Sequence, residues 1–125
     1  MVVILLALLP GAMSEARDFR VRKSAGDFTV EATLDRNPPV LGYCNIRVEI
    51  RDRGGAAVTA ARVMINYYMP PMPGMVPMNY TIDAAPRGKG YEARMNFIMT
   101  GPWNIVIIAS TGSRPWRVVI PIDVR

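Results

Sequence analysis

Asn45-Ile46-Arg47-Val48-Glu49-Ile50-Arg51 alternates apolar and charged side chains almost without a break. A β-strand turns successive side chains to opposite faces, so this stretch predicts one buried face and one face in water. The same period of two recurs on both sides. Upstream, Phe28, Val30, Ala32 and Leu34 share one face against Thr29, Glu31 and Thr33, and the breaker Arg36-Asn37-Pro38-Pro39 separates the two strands. Downstream, Asp52-Arg53-Gly54-Gly55 supplies a turn. A β-rich stretch follows over 61–68, then another over 80–84. Tyr91, Ala93, Met95, Phe97 and Met99 alternate with Glu92, Arg94, Asn96 and Ile98. Residues 103–109 (WNIVIIA) are apolar at nearly every position, which predicts a central strand covered on both faces. A last strand is expected over 116–124. No other window shows the apolar stripe of a helix, with its period of about 3.6 residues, except the N-terminal segment. The pattern predicts an all-β fold, an immunoglobulin-like antiparallel β-sandwich of about seven strands. The sandwich is expected over 27–125, behind a short basic linker, 17–26, that carries Arg17, Arg20, Arg22 and Lys23.

The chain has 125 residues, enough for one core and no second catalytic domain. It contains no histidine and one cysteine, Cys44. Those counts exclude a Ser-His-Asp or Cys-His apparatus, a His- or Cys-based zinc site, an internal disulfide and a CxxC redox centre. Cys44 reads as a small buried apolar residue, and Trp103 and Trp116 as packing residues. The carboxylates Asp27, Glu31, Asp35 and Asp83 fall at strand edges and turns, not in pairs suited to acid–base work. A non-enzymatic role is expected. The net charge is +5 and thirteen of the fifteen basic residues are arginine. They are scattered and no RNA- or DNA-binding motif accompanies them, so a nucleic-acid partner is not expected.

Residues 2–9 (VVILLALL) form an apolar run followed by Pro10-Gly11 and mostly small side chains to Ala16. This is the core and cleavage region of a secretory signal over 1–16, and it places the domain in the periplasm or otherwise outside the cytoplasm. Eight residues fall short of the roughly 20 that a helix needs to cross a bilayer, so no stable membrane span is expected in this chain. The basic start of a signal is missing. With a true start further upstream, the same run becomes a membrane anchor.

Met69-Pro70-Pro71-Met72-Pro73-Gly74-Met75-Val76-Pro77-Met78 places four methionines at intervals of three. Proline favours polyproline II geometry, with three residues per turn, and this spacing sets all four thioethers on one side of an extended segment. Thioether sulfur is soft and uncharged, and it suits Cu(I) in preference to harder ions. In a straight polyproline helix neighbouring methionines stand roughly 9 Å apart, so convergence needs a bend, which Gly74 permits. Met69, Met72, Met75 and Met78 are therefore the candidate Cu(I) ligands, with Met99 in reserve. Met95 and Met99 read first as core fillers. Two other readings stay open. The loop can serve as a metal-free docking surface for a protein, with Tyr67, Tyr68, Pro71, Pro73 and Tyr80 as partner-binding residues, or it can simply pack.

Gly26-Asp27-Phe28-Thr29-Val30 through Leu34-Asp35-Arg36-Asn37-Pro38-Pro39, the run Met69 to Met78, Gly90-Tyr91-Glu92-Ala93 and Met99-Thr100-Gly101-Pro102-Trp103-Asn104 together resemble the YtkA-like domain family, related to FixH-like proteins. The resemblance covers roughly residues 25–125, and the methionine run is its most specific part. It implies a small exported or membrane-tethered β-sandwich that works in copper handling, beside a copper-delivery, oxidase-assembly or heavy-metal efflux protein. The absence of histidine sets this sequence apart from carriers that hold Cu(II).

Overall fold

The computed structural model describes residues 18–112 and 114–125. The expected signal, 1–16, lies outside the described residues. Eight strands follow one another: β1 (Phe19–Ala25), β2 (Phe28–Leu34), β3 (Gly42–Arg51), β4 (Arg62–Tyr68), β5 (Asn79–Arg87), β6 (Gly90–Phe97), β7 (Gly101–Ser110) and β8 (Trp116–Val124). No helix among the described residues is long and apolar enough to cross a membrane.

All pairings are antiparallel, in the order β1-β2-β3-β6-β5-β4-β7-β8. The order is continuous because β5 serves two layers. Its first residues, Asn79 to Ala84, pair with β4, while Ala85 to Arg87 pair with β6. From β2 onward, one layer reads β2-β3-β6-β5 and the other β4-β7-β8, which is the immunoglobulin constant-type arrangement. The expected sandwich is present, with one strand more than expected. That strand is β1. Phe19–Ala25, expected within a basic linker, pairs along its whole length with β2. Phe19, Val21 and Ala25 lean on the core while Arg20 and Arg22 face water, so these two arginines are on the solvent side of a strand; Lys23 falls on the inner side and is half-buried.

Alternation fixes the core. Val30, Ala32 and Leu34 of β2, Ile46, Val48 and Ile50 of β3, and Ile105, Ile107 and Ala109 of β7 are all buried. Trp103 and Met95 are core residues and Cys44 is buried, as the sequence predicts. Trp116 is half-buried and stacks on Phe28, with ring centroids 5.3 Å apart. The outer face of the first layer is ionic. Arg51, Glu49, Arg47, Glu92 and Arg87 form a chain of ion pairs at 3.2–3.6 Å across β3, β6 and β5. Each such half-exposed pair adds little, of order 0–1 kcal/mol, but together they keep this face in water.

Tyr91 ties the β3–β4 crossover to the core. Its ring is fully buried, its hydroxyl donates to the Val58 carbonyl at 2.7 Å and accepts from the Ala61 amide at 3.0 Å. Tyr91→Phe keeps the ring and leaves both backbone groups without that partner. We expect the variant to fold and to lose about 1–3 kcal/mol of stability in urea unfolding; a loss below a few tenths of a kcal/mol would mean that water replaces the hydroxyl.

Candidate functional site

The methionine segment is the connection between β4 and β5, and its ends are tied. The Met69 amide donates to the Met78 carbonyl at 3.0 Å, continuing the β4–β5 ladder by one step. At the tip, the Met75 amide donates to the Met72 carbonyl at 3.1 Å and Gly74 has φ of 79°. Proline at the second position of a turn and glycine with positive φ at the third are the signature of a type II turn, here Met72-Pro73-Gly74-Met75. The extended, one-sided polyproline segment is thus not what forms. The bend at Gly74 is.

The bend changes what a spacing of three means. Reflection through the Pro73-Gly74 centre places Met72 opposite Met75 and Met69 opposite Met78. All four candidate ligands line one small pocket of about 40 Å³, with prolines 70, 71 and 77 filling its walls. That volume holds one ion or one water and excludes an organic ligand, which needs several hundred cubic ångströms. The four methionines are not equally open. Met69 is buried, Met78 half-buried, and Met72 and Met75 are 36 % and 37 % exposed. Inner and outer pairs result.

Beneath the loop lies an aromatic floor. The Tyr67 ring packs 5.6 Å from Phe97, 5.9 Å from Trp103 and 5.4 Å from Tyr80, and Phe97 meets Trp103 edge-on at 5.3 Å. The Trp103 indole donates to the Met99 carbonyl at 2.8 Å, which fixes the β6–β7 turn beside the loop. Met99 is half-buried against the core and does not line the methionine pocket. It remains the core filler that the sequence suggests. Tyr67, expected among the partner-binding residues, is buried, because it continues the inner face of β4 after Val63 and Ile65. Pro71, Pro73 and Tyr80 are exposed and Tyr68 is half-buried.

The other donor types stand apart from this pocket. Among the described residues no three His, Cys, Asp or Glu side chains gather as a metal site. Cys44 is on β3, and burial, together with the nearby Asp35 carboxylate, pushes its thiol up to about 12. It is protonated at neutral pH and paired in register with Met95 inside the core. The residue that sequence reading missed is Gly101, the first residue of β7. Its φ is 120°, and a Cβ there would stand 3.0 Å from the Met69 methyl group. Glycine at this point leaves Met69 its place under the loop.

Residues 22–107 match the YtkA-like family, and the chain belongs to it. The match starts within β1 and ends within β7, so it contains the whole loop and its floor. No curated protein and no solved structure shows a significant match to the chain.

Gly101→Ala forces a left-handed backbone on an alanine and crowds Met69. We expect it to lower stability by about 1–3 kcal/mol in denaturant unfolding. Gly112→Ala, also at positive φ but with open space around its Cβ, separates the two causes. Equal losses in both variants would remove the Met69 contact from the account.

Proposed function

We propose that this YtkA-like domain is an exported carrier that binds one Cu(I) ion in the methionine pocket and passes it on by ligand exchange. The observation that carries the reading is that all four methionines, and no charged or other ligand-type side chain, line one pocket sized for one ion. Thioethers bring no charge, so a monovalent soft ion is the one whose desolvation such a set can offset. A divalent ion loses far more hydration and prefers imidazole, carboxylate or thiolate. The inner pair, Met69 and Met78, is anchored by the backbone bond between them. The outer pair, Met72 and Met75, opens to solvent and is the pair an incoming ligand reaches first.

Under this reading the protein binds and does not catalyse. The acceptor or donor is a copper-delivery, oxidase-assembly or efflux protein, and the compartment is the periplasm or its equivalent. The competing reading, a metal-free docking module, draws support from the exposure of Met72, Met75, Pro71 and Pro73.

The test is titration of the reduced protein with Cu(I) against a competing cuprous chelator. We expect uptake of one ion at micromolar protein, lost in Met72→Leu/Met75→Leu with the fold intact by circular dichroism. Leucine keeps volume and apolarity, so docking through the same surface would survive that substitution. We also expect the affinity to stay flat between about pH 5 and 8, since thioethers need no deprotonation. Cys44, held up near 12, contributes no thiolate in that window. An affinity that climbs steeply with pH would exclude thioether-only ligation.

A further inference from the structure

Among the described residues eight large apolar side chains are exposed, and seven of them belong to one pole of the sandwich. Val119, on the outer side of β8, is the eighth. Three connections meet at this pole: the methionine loop, the loop before β3 and the β6–β7 turn. Their outermost apolar side chains are Val76, 78 % exposed, Ile98 at 53 %, Leu41 at 50 %, and the pair Met72 and Met75. Over residues 37–46, 67–82 and 95–104, which include these connections, the chain carries no charge.

Behind the apolar tips the composition is graded. Tyr43 and Tyr80, both exposed, sit one residue inside β3 and β5. Next come cations. Arg94 lies over the Tyr43 ring with its guanidinium carbon 4.1 Å from the centroid, and Arg36 stands exposed in the loop before β3. Neither makes an ion pair among the described residues. The nearby carboxylates are engaged, Asp35 by the backbone and side-chain amides of Asn45 and Asp123 by Arg125. Arg94 is four residues from Ile98, about 13 Å along an extended strand.

A protein partner would have to meet the tips of three separate connections at once. Apolar tips, then tyrosines, then unpaired arginines is instead the sequence of environments met on entering a bilayer from its core outward: hydrocarbon, interface, phosphate. We propose that this pole seats in the headgroup region of an anionic lipid bilayer, with Val76, Ile98 and Leu41 in the acyl boundary and Arg36 and Arg94 at the phosphates. The contact is interfacial and spans nothing. It stands independently of the copper reading.

The test uses the full chain with a thiol-reactive, polarity-sensitive fluorophore on Val76→Cys or on Val119→Cys. Cys44 is buried and does not compete for the label. Vesicles of phosphatidylcholine mixed with phosphatidylglycerol are expected to shift the emission of the probe at 76 to the blue and to leave the probe at 119 unchanged. A probe at 76 reports the pole itself, whatever residues 1–16 do with the same vesicles. In Arg36→Gln/Arg94→Gln, vesicle affinity should fall roughly fivefold per arginine removed. A shift at neither position overturns the proposal and returns the pole to a protein partner; a shift at both shows adsorption through another face, and an unchanged affinity in the double variant removes the anionic lipid. Met72→Leu/Met75→Leu should keep the shift at 76 while losing copper, so failure of one reading is distinct from failure of the other.

Discussion

The pole depends on one side chain placed between two layers that are parting. β5 leaves β6 after their short shared ladder at Ala85 to Arg87 and runs beside β4 instead. Beyond that point β6 has no neighbour on that side, and the Asn96 amide turns away from β3 with no ladder to join. The Tyr67 hydroxyl accepts it at 3.2 Å, reaching across from β4. The amide is half-buried and a hydrogen bond of this kind is worth about 0.5–1.5 kcal/mol net, so the hydroxyl ties the layers where the backbone cannot. The ring of the same residue packs on Phe97 and Trp103 and supplies the floor. Two residues later the methionine loop begins.

Given that floor, the loop's own sequence sets its form. Prolines at 70, 71, 73 and 77 fix φ and restrict the unfolded chain, which lowers the entropy lost when the loop is ordered. Glycine at 74 supplies the one positive φ that the turn requires. A spacing of three in a straight polyproline segment separates the sulfurs. The same spacing folded about Pro73-Gly74 sets Met72 opposite Met75 and Met69 opposite Met78 along the backbone. The turn thus brings the four methionines to one pocket by backbone geometry, and under the proposed copper reading that would reduce the ordering cost of binding.

Much of this was legible in the sequence because period-two alternation reports burial directly. Val30, Ala32 and Leu34, or Ile46, Val48 and Ile50, declare an inward face from spacing alone. Where local composition and alternation disagree, alternation reports the fold. Phe19, Val21 and Ala25 keep the strand period, but the arginines between them suggested a linker. Tyr67 follows Val63 and Ile65 at the same period, yet its nearness to the loop suggested a docking residue. The strand switch within β5 was beyond reach, since nothing local distinguishes a residue paired with β4 from one paired with β6. Gly101 was hidden for a related reason: its meaning depends on Met69, a contact made only by the fold.

The distribution of charge then bears on what a thioether site can select. Charged side chains gather on the outer face of the first layer, where Arg47 pairs with both Glu49 and Glu92, and they are absent from the loop and its floor. A carboxylate beside the pocket would offer a hard oxygen ligand, which suits divalent ions better than Cu(I). An arginine there would repel any cation, by about 1 kcal/mol at 4 Å in water and about 4 kcal/mol at the effective dielectric of a protein surface. An uncharged surround avoids both effects and leaves discrimination to the softness of sulfur. The same vacancy of charge removes the main obstacle to placing the pole against an apolar phase, so one compositional feature over residues 63–82 would serve both the proposed ion selection and the proposed surface contact.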